Sequence, residues 1–263
     1  VPDLSNVTDM SNMFSTDSQG GFSGNVSMSG WDVSNVTNMS GTFNTAMFNV
    51  DIGGWNVSNV TNMHAMFSNS GIDQDLSGWQ VGNVTDMSEM FSRTDFNQDI
   101  SGWDVSNVTD MSGMFFSSRF NRSIGSWAVG NVTDMSDMFF ANNDFNQDIS
   151  GWNVGNVDNM SYMFLNAYDF DQDISGWNVS DASLMNLMFK NATSFDQNLG
   201  SWDVSGVTQM SEMFSGVTLS TTNYDSLLIG WNSQNLQSGV IFDGGNSMYC
   251  AGEYARANMI ANE

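Results

Sequence analysis

Tryptophan recurs at positions 31, 55, 79, 103, 127, 152, 177, 202 and 231, and the first eight are separated by 24, 24, 24, 24, 25, 25 and 25 residues. A period of this length means a stack of similar units, each burying its apolar side against its neighbours. Such a chain presents rows of like groups along a surface rather than a few unlike groups converging on one point. Seven residues before each Trp stand Phe48, Ile72, Phe96, Phe120, Phe145, Phe170 and Phe195, the expected first residues of successive coils. A longer first coil opens near Phe22, and "LSNVTDMSNMF" at 4–14 reads as the second half of a coil. The expected organisation is a repeat solenoid over 1–219, made of a partial coil and about eight full ones, followed by a capping segment over 220–263.

Within one coil, residues 96–119, the apolar positions are Phe96, Ile100, Trp103, Val105, Val108, Met111, Met114 and Phe115. That spacing fits neither one helix nor one strand, so the chain must change conformation every few residues. Trp103-Asp104-Val105 alternates apolar and polar, which predicts a short strand. Met111, Met114 and Phe115 fall at i, i+3 and i+4, which predicts one helical turn with Ser112 as its cap. The fold class expected is a right-handed, leucine-rich-repeat-like coil with short parallel strands on one face and one-turn helices on another. After residue 220, "NYDSLLIGW" places Leu227, Leu228 and Trp231 on one helical face, suited to cover the last coil's open core.

The hydrophobic share is 40%, with 19 Phe, 21 Met and 9 Trp, enough for a continuous core. Lys and Arg total 5 against 29 Asp and Glu, and the net charge of −24 repels nucleic-acid backbones and anionic lipid. No apolar run reaches the roughly 18 residues of a membrane span, and the start at Val1, without a basic n-region, reads as a mature or excised chain. Cys250 is the single cysteine, so no internal disulfide framework exists, and it is expected to be a small buried hydrophobe.

The run "NQDISGWDVSNVTDMSGMF" resembles the repeat of the BspA-like leucine-rich-repeat surface proteins of bacteria, and the likeness covers roughly residues 4–215. The closing segment, "YDSLLIGWNSQNLQSGVIFDGGNSMYCAGEYARANMI", is also similar to the ends of members from marine Bacteroidetes. The resemblance implies a parallel-stranded solenoid and a secreted or surface-displayed, adhesive protein. It carries no ligand and no catalytic residue with it.

The columns therefore become the candidate sites. The position after Trp reads Asp32, Asn56, Gln80, Asp104, Ala128, Asn153, Asn178 and Asp203, a polar ladder suited to an extended glycan or protein ligand. A second ladder, Thr37, Thr61, Thr85, Thr109 and Thr133, interrupted later by Asp158 and Ser183, fits an ice- or mineral-binding face. A passive spacer is the third reading. Asp75, Asp99, Asp148 and Asp173 line another edge and are weak calcium candidates, although neither an EF-hand pattern nor a calcium-binding glycine-rich nonapeptide occurs. No other cofactor is expected. Core packing is the expected role of the Trp column, and an internal backbone-bonding ladder that of Asn6, Asn35, Asn59, Asn83, Asn107 and Asn131. His64, the single histidine, replaces a Ser of the repeat and far from Cys250 marks no catalytic constellation. The expected protein is a non-catalytic recognition or adhesion module outside the cell.

Overall fold

The structure, a computed structural model, describes residues 2–15, 27–47 and 49–261. The coil starts expected at Phe22 and Phe48 lie outside these residues. The chain is a repeat solenoid whose coils are joined by one line of parallel bridges. That line runs from Asp9 through Asn38, Asn62, Asp86, Asp110, Asp134, Asn159 and Leu184 to Gln209.

This line corrects two expectations. Trp103 and Val105 are buried and Asp104 is exposed, as alternation requires, but no bridge joins this triplet to a neighbouring coil. The parallel pairing instead sits just before the "MS" of each coil. The second correction concerns the predicted helical turn at 111–115, which is a run of tight turns. Met114, Phe116 and Ser118 donate their amides three residues back, to Met111, Gly113 and Phe115. The alternate amides, those of Met111, Gly113, Phe115 and Ser117, donate to the carbonyls of Asp134, Ser136, Met138 and Phe140 in the next coil. An α-helix would send the later amides, those of Phe115 to Ser118, to carbonyls four residues back. Here half of them stitch the coils together.

Turning alternate amides outward requires left-handed residues at two positions per coil. Gly113 and Ser117 have φ of 59° and 51°, and the same register gives Glu89 and Arg93, Asp137 and Ala141, Tyr162 and Asn166, and Leu187 and Asn191. Non-glycine residues rarely adopt this conformation. Each of these residues donates its amide to the next coil, which fixes the conformation against its local cost.

Stacked columns fill the interior. Phe43, Phe67, Phe91, Phe115, Phe139, Phe164, Phe189 and Phe214 form one, with Phe91 and Phe115 centroids 5.9 Å apart and only 4° from parallel. The Trp column is the second, and it is core, as expected: Trp103 is 3% exposed and stacks 6.4 Å from Trp79. Burying an indole requires a partner for its N–H. Trp103 Nε1 donates to Leu76 O at 3.0 Å, and Trp79, Trp127, Trp152, Trp177 and Trp202 donate to the equivalent carbonyl of the preceding coil.

Two helices follow the coils, α1 (Thr221–Asn232) and α2 (Glu253–Ala261). Ser220 caps α1, which buries Tyr224, Leu227, Leu228 and Trp231. This helix continues the ladders of the repeat without its sequence. Trp231 Nε1 donates to Leu199 O, as a coil Trp would, and Asn223 Nδ2 reaches Asp196 where a coil would offer Gln. Phe242 extends the parallel line by bridging Met210. The Asp225 carboxylate accepts the amides of Cys250, Ala251 and Gly252, tying the start of α2 to α1. Cys250 is exposed, contrary to expectation, because only its amide is engaged in this clasp.

Candidate functional surface

A coil contains up to three short polar-apolar-small triplets, which in one coil are Asp99-Ile100-Ser101, Asp104-Val105-Ser106 and Asp110-Met111-Ser112. In each, the Asp carboxylate accepts the amide two residues on, at 2.9, 3.1 and 2.8 Å. These are Asx turns, which bend the chain while the middle residue points into the core. Ser112, expected as a helix cap, is therefore the amide donor of a turn. The signal was present in the sequence as the spacing D-x-S, but the carboxylates were read as ligand-binding and calcium candidates.

The remaining repeated polar groups bind coil to coil. Asn107 Nδ2 donates to Gly82 O, and Asn35, Asn59, Asn83, Asn131 and Asn156 repeat the bond. Backbone bonding was expected of this ladder, but it lies on the surface rather than inside. Thr109 Oγ1 donates to Thr85 O at 3.1 Å, and Thr37, Thr61, Thr85 and Thr133 each donate to the preceding coil in the same way. Gln98 Nε2 donates to Asp73 Oδ1, and Gln74, Gln147, Gln172 and Gln197 make matching bonds.

These bonds place the candidate columns. Asp32, Asn56, Gln80, Asp104, Asn153, Asn178 and Asp203 are all exposed in one row, so the structure brings them together on a surface. The row is not on the line of parallel bridges, however, and all but Gln80 use a side-chain oxygen to accept a turn amide. Asp75, Asp99, Asp148 and Asp173 do the same for Ser77, Ser101, Ser150 and Ser175. Hydrogen bonds from those serines hold the four carboxylates below the usual range. Among the described residues, no three Asp, Glu, His or Cys side chains gather closely enough to hold a metal ion.

The bridge-bearing turn face differs, because there the side chains change from coil to coil. It carries His64, Glu89, Arg93, Phe116, Asp137, Phe140, Tyr162 and Lys190. Arg93 lies over the Phe116 ring at 5.1 Å, and Phe116 meets Phe140 edge-on at 4.7 Å. Gly113 leaves a notch of about 280 Å³ between Glu89 and Asp137. Burial, with the Asp134 and Glu89 charges beside it, raises Asp137 to about 6.

This face also brings a histidine, a serine and an aspartate into a row. His64 Nδ1 lies 2.7 Å from Ser88 Oγ, and Ser88 Oγ donates to Asp86 Oδ1 at 2.5 Å. A serine nucleophile must give its proton to the imidazole, whose far side is held by the acid. Here the Asp86 carboxylate accepts the Ser88 hydroxyl's hydrogen bond, so the hydroxyl is turned to the acid and not to the imidazole, unlike the order of a nucleophilic triad.

The matches to one family model agree with the repeat. The model of a family described as "Mycoplasma protein of unknown function, DUF285" matches residues 1–94, 68–139 and 116–227, overlapping as a repeat requires. Among solved structures, the chain is similar to an internalin (inlF) from Listeria monocytogenes str. 4b F2365. The identity is 11%, the coverage 88% of this chain and 80% of that one, and the TM-score 0.23. No curated protein matches. With its matches running from residue 1 to residue 227, the chain belongs to the DUF285 family.

Proposed function

We propose that this chain is a non-catalytic recognition module, displayed outside the cell, which binds an extended protein ligand along its turn face. The observation that carries the reading is the division of labour among polar groups. The repeated Asp, Asn, Thr and Gln side chains form Asx turns and inter-coil ladders, whereas the turn face varies in charge, size and aromaticity from coil to coil. A surface of unlike groups on a rigid backbone discriminates between partners, and a row of identical groups does not. The BspA-like resemblance of the repeat supports surface display and adhesion, and the segment from residue 220 acts as the cap of the rod. The Thr ladder gives the ice-binding reading less support, because its hydroxyl protons are directed to backbone carbonyls.

Binding to an array of matrix proteins, peptides and glycans, with and without calcium, tests the proposal. Once a ligand is found, Glu89→Lys and Phe140→Asp are expected to abolish binding, and Asp104→Asn with Asn178→Asp to leave it intact. The reverse result would return the site to the column after Trp. A blank array together with thermal hysteresis in the purified chain would replace the reading with ice binding.

A further inference from the structure

At the C-terminal end the regular filling of the core fails. The coil interiors are packed by parallel Phe rings, but Phe242 meets Phe214 edge-on, at 84° and 6.1 Å. A cavity of about 670 Å³ opens between the last coil, α1, α2 and the segment carrying Phe242, which stays bonded to that coil through the Met210 bridge and the Phe214 amide to Asp243 O. This volume suits a small organic molecule.

The lining is chemically specific. Leu236, Val240 and Phe242 supply its accessible apolar surface, backed by the buried Val204, Val207, Leu228 and Trp231, and Phe242 meets Trp231 edge-on at 5.3 Å. One cation stands in it: Arg256, with its guanidinium over the Tyr249 ring at 5.3 Å. Among the described residues no carboxylate oxygen lies within 4.0 Å of Arg256, whereas Arg119 and Lys190 are paired with Asp95 and Glu212. The cavity also contains Asp243, but that carboxylate accepts the Gly245 amide at 2.9 Å. A guanidinium kept apart from carboxylates in a chain with 29 acidic residues, beside an apolar cavity, hydrogen-bonds the Tyr224 side chain and has further donors in a fork that matches a carboxylate.

We infer that this cavity is a binding site for an apolar or aromatic body bearing a carboxylate, whether a free small acid or the C-terminal residue of a peptide. The ring or alkyl body lies on Leu236, Val240 and Phe242, and the carboxylate pairs with Arg256 at the rim. The site is separate from the turn face and stands whether or not that face binds a ligand.

The test is isothermal titration of the whole 263-residue chain with four probes: 3-phenylpropionate, 3-phenylpropionamide, and a hydrophobic tripeptide with its C-terminus free or amidated. The acid is expected to bind roughly tenfold or more tightly than its amide, the worth of one charge-assisted pair. Arg256→Gln removes that preference and leaves the amide's affinity unchanged. Arg256 is exposed, so the variant folds, which an unchanged melting temperature verifies. A preference confined to the tripeptide with a free C-terminus would identify a chain end as the source, and equal binding of 3-phenylpropionate a free acid. Absence of binding by every probe, equal affinity for acid and amide, or a preference that survives Arg256→Gln would each overturn the inference.

Discussion

At the scale of the residue, the acidic composition and the fold have one cause. An Asx turn needs a side-chain oxygen, and Asp supplies it three times in the coil of Asp99, Asp104 and Asp110. Folded-state pKa values held down by such bonds contribute stability that is complete above the ordinary carboxylate range and is lost as pH falls through the depressed values. Asp137 has the opposite sign. Its folded value of about 6 lies above the ~3.9 of an unfolded chain, so the folded state holds the extra proton between those values, and stability falls as pH rises through them. Asp137→Asn is thus expected to raise the melting temperature most at about pH 7.5 and progressively less towards about pH 4.5. Parallel melting curves of the two proteins across that window would show that the carboxyl is not destabilised by its surroundings. The amide ladder offers a second test. Asn107→Ala deletes the bond to Gly82 O and leaves a surface carbonyl for water to take, so the expected loss is about 0.5–1.5 kcal/mol. Urea unfolding measures it, and a loss several times larger would mean that the ladder acts cooperatively.

At the scale of the element, Gly113 discriminates between the helical turn expected from sequence and the series of tight turns observed. It has φ of 59°, and a Cβ there would lie 3.2 Å from Glu89 Cγ. Gly113→Ala should therefore cost about 1–2 kcal/mol, the penalty of a left-handed alanine, whereas a helical turn would gain from the same change. Denaturant titration reads the sign directly. The reason for the misreading is physical. Met111, Met114 and Phe115 are all buried, as their helical spacing demands, but spacing reports which side chains point inward and not where the amides go. The left-handed positions carry Glu89, Arg93, Tyr162 and Leu187, which do not announce such a conformation, alongside Gly113, Asp137, Asn166 and Asn191, which do. The Trp column, the period and the helix bearing Leu227, Leu228 and Trp231 were legible because each depends on burial alone. The triplet Trp103-Asp104-Val105 had a strand's alternation without its hydrogen bonds, since Asx turns at Asp99 and Asp104 curl the chain on both sides. For the site, the columns were legible as rows. Which rows were already engaged by backbone groups was not: the carbonyls taken by the Thr and Trp ladders lie 24 to 32 residues away in sequence, and the Asp rows, whose partner amides lie only two residues on, carry a D-x-S spacing that was not read as a turn.

At the scale of the whole molecule, each coil bonds only to the one before and the one after, so stability is a sum of coil and interface terms. Removing residues 111–134 takes out one period and joins Asp110 to Met135, in the register that Asp110 already has with Met111. Every ladder is then restored across the junction: the parallel line passes from Asp110 to Asn159, Phe91 stacks where Phe115 would on Phe139, and Trp103 takes the carbonyl it already uses. The shortened chain is expected to fold cooperatively with a melting temperature only a few degrees lower and a length reduced by about 4.8 Å, the spacing of one parallel pairing. Removal of half that segment would instead place turn residues opposite core residues and unfold the rod. Small-angle scattering and circular dichroism on the two deletions separate these outcomes. Failure of the full-period deletion to fold would mean that the coils are not interchangeable and that one of them carries an interaction reaching beyond its neighbours.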